Sequence, residues 1–272
     1  MEAFLRILGS KMERPTLYGW FHCLWLVLPF IAAWLLCRMY RRSREKETFV
    51  RRVVFYTAVL TAFFELLHQV NYSLFWENGG LKLDMEWYAF PFQFCSTPMY
   101  AGLLTGIFRR GRVHDALCAY LATFAFFAGL CVMLYPATVF IETIVINIQT
   151  MICHSSMLTI GVFLFYTRHV RLEHRTILRA IPVFLICVLI AMVLNEIAYY
   201  SGLLASGHTF NMFFISPHCE PSLPVYSLVQ AVVPYPFCLL IYVAVFSLAA
   251  WLVLLGAMGI AALARRRAPA VI

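Results

Sequence analysis

This sequence contains few charged residues. Only 12% of its 272 residues are charged, whereas a soluble domain carries roughly a quarter. Hydrophobic residues make up 62%, and the mean hydropathy is +0.80. We therefore expect an integral membrane protein. The formal net charge of +8 does not indicate nucleic-acid binding, because most of the basic residues fall in short gaps between apolar segments.

Several motifs of soluble enzymes are also missing. The chain has no Gly-rich phosphate-binding loop, no HExxH sequence and no CxxC pair. Its nine cysteines show no evident Cys/His ligand spacing, and most lie within or beside apolar segments, where cysteine is usually a small apolar side chain. We therefore expect no metal, no cofactor and no disulfide framework. The lack of an internal repeat disfavours a transporter built from inverted repeats.

Seven apolar segments dominate what is present. A helix needs roughly 20 residues to cross a hydrocarbon core of about 30 Å, and each segment is close to that length. The sequence thus predicts an all-α fold, a seven-transmembrane-helix bundle forming a single membrane domain over residues 1–272. The predicted helices lie near 18–38, 53–75, 90–108, 115–135, 144–166, 178–202 and 236–262.

The basic residues alternate from gap to gap. With seven crossings, 17 of the 21 Lys and Arg fall on one side of the membrane. Positively charged loops stay in the cytoplasm, so we expect the N-terminus outside and the C-terminus in the cytoplasm. The expected location is the plasma membrane, or an internal membrane if the source is eukaryotic.

Polar side chains interrupt four of the apolar segments. With the predicted topology, they share one layer between the membrane midplane and the outer surface, which indicates a polar cavity open to the outer leaflet. Ionisable groups at this depth are costly and commonly functional. Two structural alternatives remain open: amides that only join helices, and a Glu65–His68 pair that only satisfies itself. The residues are Glu65, His68, Asn71, Gln93, Cys95, Asn147, Thr150, His154, Asn195 and Glu196.

Cys95 is the most unusual of these positions. It lies between Pro91 and Pro98 in the stretch FPFQFCSTPMYAG. Proline suits the first turn of a helix, so a new helix is expected to begin near Pro98 with Ser96 or Thr97 as its cap. Cys95 would then precede a helix N-terminus, where the positive end of the dipole favours a thiolate. A nucleophilic Cys95 needs a base, and His68 and His154 are both candidates.

Three stretches resemble YwaF-like integral membrane proteins. FPFQFCST resembles the "LPLHLCS" segment of that family, and MICHSSML resembles its histidine segment two helices later. NEIAYYSGLLASGHTFNMFFISPHCEPSLPVY is similar to the family's later Asn, Asn-Tyr-Met run and Pro-containing outer loop. The resemblance covers roughly residues 50–260. This chain departs from the pattern at Gln93, where the family has histidine, and at Phe213, where tyrosine is expected.

The resemblance implies an activity. The family includes a eukaryotic transmembrane acyltransferase that moves polyunsaturated acyl chains onto ether lysophospholipids with a Cys and a His. By resemblance, Cys95 corresponds to the nucleophile and His154 to the histidine. The other polar positions, Asn211 included, would then support the site or contact the lipid. A more distant resemblance to membrane hydrolases that use a Thr and a His keeps lipid-ester hydrolysis open.

The resulting hypothesis is acyl transfer between membrane lipids through a thioester on Cys95. Asn147 or Thr150 would orient the His154 imidazole, and Gln93 or amides near Thr97 would hold the oxyanion. Membrane lipids are the expected partners, and nucleic acid is not. The alternative of another class is a small-solute or ion transporter or receptor that uses Glu65, His68 and Glu196.

Overall fold

The fold is described from a computed structural model, which describes residues 1–220 and 223–267; the rest of the predicted domain, 221–222 and 268–272, lies outside it. Within these residues the chain is mostly helical. The helices are α1 (Glu2–Leu8), α2 (Trp20–Arg42), α3 (Lys46–Ser73), α4 (Thr97–Ile107), α5 (Arg112–Tyr120), α6 (Phe126–Leu134), α7 (Ile144–Tyr166), α8 (Arg175–Tyr200), α9 (Pro224–Gln230) and α10 (Tyr235–Arg267). A two-stranded antiparallel hairpin, β1 (Leu74–Glu77) and β2 (Gly80–Leu83), follows α3.

Six helices in the described ranges are long and apolar enough to span a membrane. They are α2, α3, the continuous helix Arg112–Leu134 formed by α5 and α6, then α7, α8 and α10. A π-helical turn, Leu121–Ala125, joins α5 to α6. These six correspond to six of the seven predicted segments, so the structure confirms a polytopic all-α membrane protein.

Burial separates central helices from peripheral ones. In α7, 72% of the most apolar stretch is buried, and in Arg112–Leu134 the value is 61%. In α2, α3, α8 and α10 only 22–28% is buried, and large apolar side chains such as Trp34, Ile186 and Leu240 are exposed. An exposed apolar surface of this extent is stable only against lipid. Helix α7 is therefore the central element of the bundle.

The predicted segment 90–108 is only partly helical. Residues 90–96 form turns and bends, and α4 covers just Thr97–Ile107. The physical reason is Pro98, which cannot donate the hydrogen bond that a continuous helix would give to the Phe94 carbonyl. The Thr97 hydroxyl donates to that carbonyl instead, at 2.8 Å. As predicted, a helix begins beside Pro98 and Cys95 precedes it, although Ser96 at the N-cap makes no side-chain capping bond.

Small residues bring α4 close to α3. A Cβ added at Gly102 would lie 2.7 Å from the Cβ of Ala58, and one at Gly106 would lie 2.1 Å from the Phe55 ring. Close backbone approach through small residues is common between membrane helices. Because Gly102 meets Ala58 and the later Gly106 meets the earlier Phe55, α4 runs antiparallel to α3.

Candidate functional site

Glu65 is the centre of a buried hydrogen-bond network between α3 and α7. Its Oε2 accepts from Gln149 Nε2 at 3.0 Å, and its Oε1 accepts from Gln69 Nε2 at 2.9 Å. His68 Nδ1 lies 3.4 Å from Oε1. Glu65 is only 8% exposed. The carboxylate is therefore held by amides from two helices and does not depend on His68 alone.

Cys95 lies beside this network. It is partly exposed, and it lies two residues before α4. The Glu65 carboxylate is within electrostatic range of Cys95, and Cys153 on α7 is within range of both groups. The helix break thus places the Cys95 thiol in the same region as the buried carboxylate, and the turn of α7 that carries Cys153 and His154 approaches this region.

His154 is oriented by its own helix. Its Nδ1 lies 2.7 Å from the Thr150 carbonyl, and because a carbonyl can only accept, Nδ1 carries the proton. Nε2 is then an unprotonated acceptor in the neutral ring, and it is buried without a hydrogen-bond partner. Within residues 1–220 and 223–267, no hydrogen bond joins Cys95 to His154. Thr150 therefore orients the imidazole, but through its backbone and not through its hydroxyl.

Gln93 and Asn195 hold one loop segment after α8. The Asn195 amide both donates to the Met212 carbonyl, at 3.1 Å, and accepts from the Met212 N–H, at 2.7 Å. Gln93 donates to the Asn211 carbonyl and accepts from the Phe213 N–H, each at 3.0 Å. Both ends of each amide are thus engaged with backbone, so Gln93 is held by the loop, and only its second N–H lies outside these bonds.

This loop segment is strained as well as buried. Phe213 and Phe214 have φ of 59° and 58°, in the left-handed region that costs energy for side chains with a Cβ. The side chain of Asn211 accepts from the Ser216 N–H at 2.9 Å and closes the turn. The predicted polar residues Gln93, Asn195 and Asn211 therefore maintain an unusual backbone near the Cys95 segment.

Two further predicted residues hold segments that connect to α7 and α3. Asn147 donates to the Ile141 carbonyl at 2.6 Å and accepts from the Ile141 N–H at 3.0 Å, which fixes the chain entering α7. Asn71 donates to the Leu8 carbonyl at 2.9 Å and attaches α1 to α3. Neither contact involves His154 or Cys95.

Glu196 belongs to a different cluster. Both of its carboxylate oxygens lie 3.1 Å from His218 Nε2, and the His218 ring stacks on Tyr199 with centroids 3.6 Å apart. The Glu196 side chain is 43% exposed. Among the described residues no hydrogen bond connects this cluster to Glu65 or His68, so the three proposed proton-linked groups do not form one continuous network.

Three residues of the buried network around Glu65 were not predicted from the sequence: Gln69, Gln149 and Cys153. A signal was present, because Gln149 and Cys153 are four residues apart and so share one face of α7. That this face meets Glu65 depends on how α7 is rotated against α3, which the spacing alone does not give.

A second cluster of ligand-type side chains lies elsewhere in the bundle. His114, Cys118 and His169 are all buried, and one ligand atom from each lies within 4.8 Å of the others. The sequence showed no set of Cys and His at a ligand spacing that includes all three. His114 and Cys118 are one helical turn apart, but His169 reaches them only because the α7–α8 loop folds back onto α5.

Taken together, the fold and the site define a polytopic α-helical membrane protein with a buried, hydrogen-bonded polar layer beside a broken helix. The chain belongs to the TMEM164 family, whose family profile matches residues 17–255. No curated protein and no solved structure shows significant similarity to it.

Proposed function

We propose that this protein is an intramembrane acyltransferase that moves a fatty acyl chain between phospholipids through a thioester on Cys95, with His154 as the base. The observation that carries the proposal is the placement of Cys95, a partly exposed residue, at a helix break, near a turn of α7 that carries the His154 imidazole with its unpaired Nε2. The resemblance of FPFQFCST and MICHSSML to the YwaF-like family supports the same two residues.

The helix break suits a nucleophile. The positive end of the α4 dipole acts on a thiolate at Cys95. Cys95 is partly exposed as a residue, which gives a lipid ester a route from the bilayer, while Glu65 and Gln149 are buried. The thiol must pass its proton to a base to become the nucleophile. His154 is better suited to this than His68, which lies against the Glu65 carboxylate.

The reaction balances with four proton transfers at one nitrogen, the last of which returns the acceptor's proton to the Cys95 sulfur. His154 Nε2 takes the thiol proton, the sulfur attacks the ester carbonyl of a donor phospholipid, and the C–O bond breaks. The protonated imidazole returns the proton to the departing alkoxide, which leaves a lysophospholipid and an acyl-Cys95 thioester. An acceptor lysophospholipid then loses its hydroxyl proton to His154 and attacks the thioester, and the Cys95 thiol is regenerated.

Transfer is favoured over hydrolysis by the setting. A site within the bilayer is poor in water and rich in lipid hydroxyl acceptors. A lipid-ester hydrolase with the same two residues is the alternative outcome, in which water takes the place of the acceptor.

The proposed topology has seven crossings. The Ala89 carbonyl accepts from Gln69, near the end of α3, and Arg110 pairs with Glu47, near its start, at 2.7 Å. These contacts are 22 residues apart on α3, or about 33 Å at 1.5 Å per residue, close to the thickness of the hydrocarbon core. This supports the short α4 and the irregular chain before it as the third crossing, with the N-terminus outside and the C-terminus in the cytoplasm.

The test is direct detection of the thioester. Purified protein in lipid nanodiscs is incubated with a phospholipid radiolabelled in its acyl chains, and the label bound to protein is measured before and after neutral hydroxylamine, which cleaves thioesters. We expect labile label on the wild type and none on Cys95→Ala. Cys153→Ala is the matched control, because its sulfur also lies near Glu65, and it should label normally.

Label that persists on Cys95→Ala, or a wild type without any label and with full turnover, would overturn the proposal. His154→Ala should slow both labelling and turnover, whereas His68→Ala should leave labelling largely intact. The released products separate the two reactions: a new phospholipid indicates transfer, and free fatty acid indicates hydrolysis.

A further inference from the structure

The cluster of His114, Cys118 and His169 joins three parts of the fold at the opposite end of the bundle from the hairpin. His114 and Cys118 lie one turn apart on α5, with Cys118 Sγ 3.8 Å from His114 Nδ1 and 4.0 Å from Nε2. His169 comes from the loop between α7 and α8, and its ring centroid lies 5.1 Å from that of His114. The side chains of both histidines are at least 96% buried. Burial of three ligand-type side chains together needs a compensating partner.

A carboxylate oxygen lies near the Nδ1 atom of each histidine. Glu47 Oε2 lies 3.8 Å from His169 Nδ1, and Asp115 Oδ1 lies 3.7 Å from His114 Nδ1. Metal-binding histidines usually direct their second nitrogen at a carboxylate or carbonyl, which fixes the ring and strengthens the ligand. The nitrogen that remains, Nε2, is the one available for a metal.

One of these nitrogens is conspicuously unpaired. His169 Nε2 is buried and has no hydrogen-bond partner, and neither has Asp115 Oδ1. A polar cavity of about 80 Å³ adjoins them, lined in part by Asp115, His169 and Thr176. The volume is enough for an ion with one or two waters. Three arginines also line it: Arg110 and Arg179 are each paired with a glutamate, and Arg171 is exposed.

We propose that this cluster is a zinc site, with the Nε2 atoms of His114 and His169 and the Sγ of Cys118 as ligands. Two imidazoles and a thiolate are the donor set that zinc prefers, and a fourth position is left for Asp115 or a water from the cavity. Tetrahedral zinc places such ligands roughly 3.3–3.8 Å apart. In this structure one ligand atom from each of the three side chains lies within 4.8 Å of the other two. Shifts of about 1 Å would bring these atoms to the spacing that zinc requires.

The zinc would fasten the end of the bundle and take no part in acyl transfer. It would tie α5 to the α7–α8 loop and, through Glu47, to the start of α3. On binding, the Cys118 thiol loses its proton to solvent and the sulfur becomes the anionic ligand. This role does not depend on the proposed reaction at Cys95.

The test measures metal binding on the full-length protein in detergent. Chelator-stripped protein is titrated with Zn²⁺ against a chromophoric competitor, and a parallel sample is loaded with Co²⁺. We expect one zinc per chain, a rise in melting temperature, and a thiolate-to-cobalt charge-transfer band in the near ultraviolet. Cys118→Ser should remove the band, and His169→Ala should weaken zinc binding.

Matched controls separate the site from incidental binding. Cys37→Ser removes another buried cysteine, and His174→Ala removes an exposed histidine of the same loop; both should bind zinc like the wild type. Glu47→Gln should weaken binding roughly 10- to 100-fold, as loss of a carboxylate behind a ligand does. No charge-transfer band in the wild type, or zinc binding unchanged in both Cys118→Ser and His169→Ala, would overturn the proposal. The wild-type cobalt spectrum decides the question even where a variant fails to fold.

Discussion

The contacts of Asn195 give the most quantitative prediction about stability. Asn195→Ala removes two hydrogen bonds to the backbone of Met212, which is fully buried, and leaves its N–H and C=O unpaired. Polar contacts between membrane helices average about 0.6 kcal/mol and reach about 1.7, and an unpaired buried group costs about 1–3 kcal/mol. We expect a loss of about 1–3 kcal/mol.

The measurement is thermal unfolding of the purified protein in detergent, followed by tryptophan fluorescence. Roughly 2–4 °C are lost per kcal/mol in a chain of this size, so a fall of several degrees is expected. Asn71→Ala is the control, because it loses only one bond, to the Leu8 carbonyl, and should lose less than about 1 kcal/mol.

A double-mutant cycle sharpens the prediction. Gln93→Ala removes the neighbouring bonds to the same loop. Because the two side chains hold one strained segment, their effects should be non-additive by about 0.5 kcal/mol or more. If Asn195→Ala unfolds at the same temperature as Asn71→Ala, or if the two changes are strictly additive, the loop is not held in this way.

Two further predictions concern packing and surface charge. Gly129→Ala should lower the free energy of unfolding by about 1–3 kcal/mol, because the new Cβ would lie 2.8 Å from the His154 carbonyl oxygen. Gly256→Ala on α10 is the control: its Cβ meets nothing within 4 Å, so the change should be neutral or stabilising. Equal melting temperatures for the two variants would contradict this prediction. Arg110→Ala should lower the free energy of unfolding by less than about 1 kcal/mol, because its ion pair with Glu47 is about half exposed. A larger loss in the same thermal melt would contradict the weak contribution expected of this surface pair.

Most of the fold was predictable from composition. Six of the seven predicted segments are helices long enough to span a membrane, because a run of about 20 apolar residues has few other stable conformations in lipid. The segment 90–108 differed for a local reason that the sequence also contains. Pro98 cannot donate a hydrogen bond to the Phe94 carbonyl, and α4 begins only at Thr97 and is 11 residues long.

The candidate site was less predictable. The sequence identified Glu65, Cys95 and His154 as unusual, and the structure places the first two within electrostatic range of each other. Their assignment to acyl transfer stays a prediction. The contacts that Gln93 and Asn147 make could not be foreseen, because their partners are backbone groups of loops, which are 118–120 residues away for Gln93 and six residues away for Asn147.

The sequence by itself determined that this protein lies in a membrane, which segments are apolar helices, and where a helix must break. These properties follow from hydropathy and from single residues, and no neighbour changes them. Only the tertiary structure decided that Gln149 meets Glu65 and that His169 joins His114 and Cys118. Such contacts depend on the rotation and close approach of whole helices, which is set by packing at positions such as Gly102 and Gly129 and by loops that fold back on the bundle.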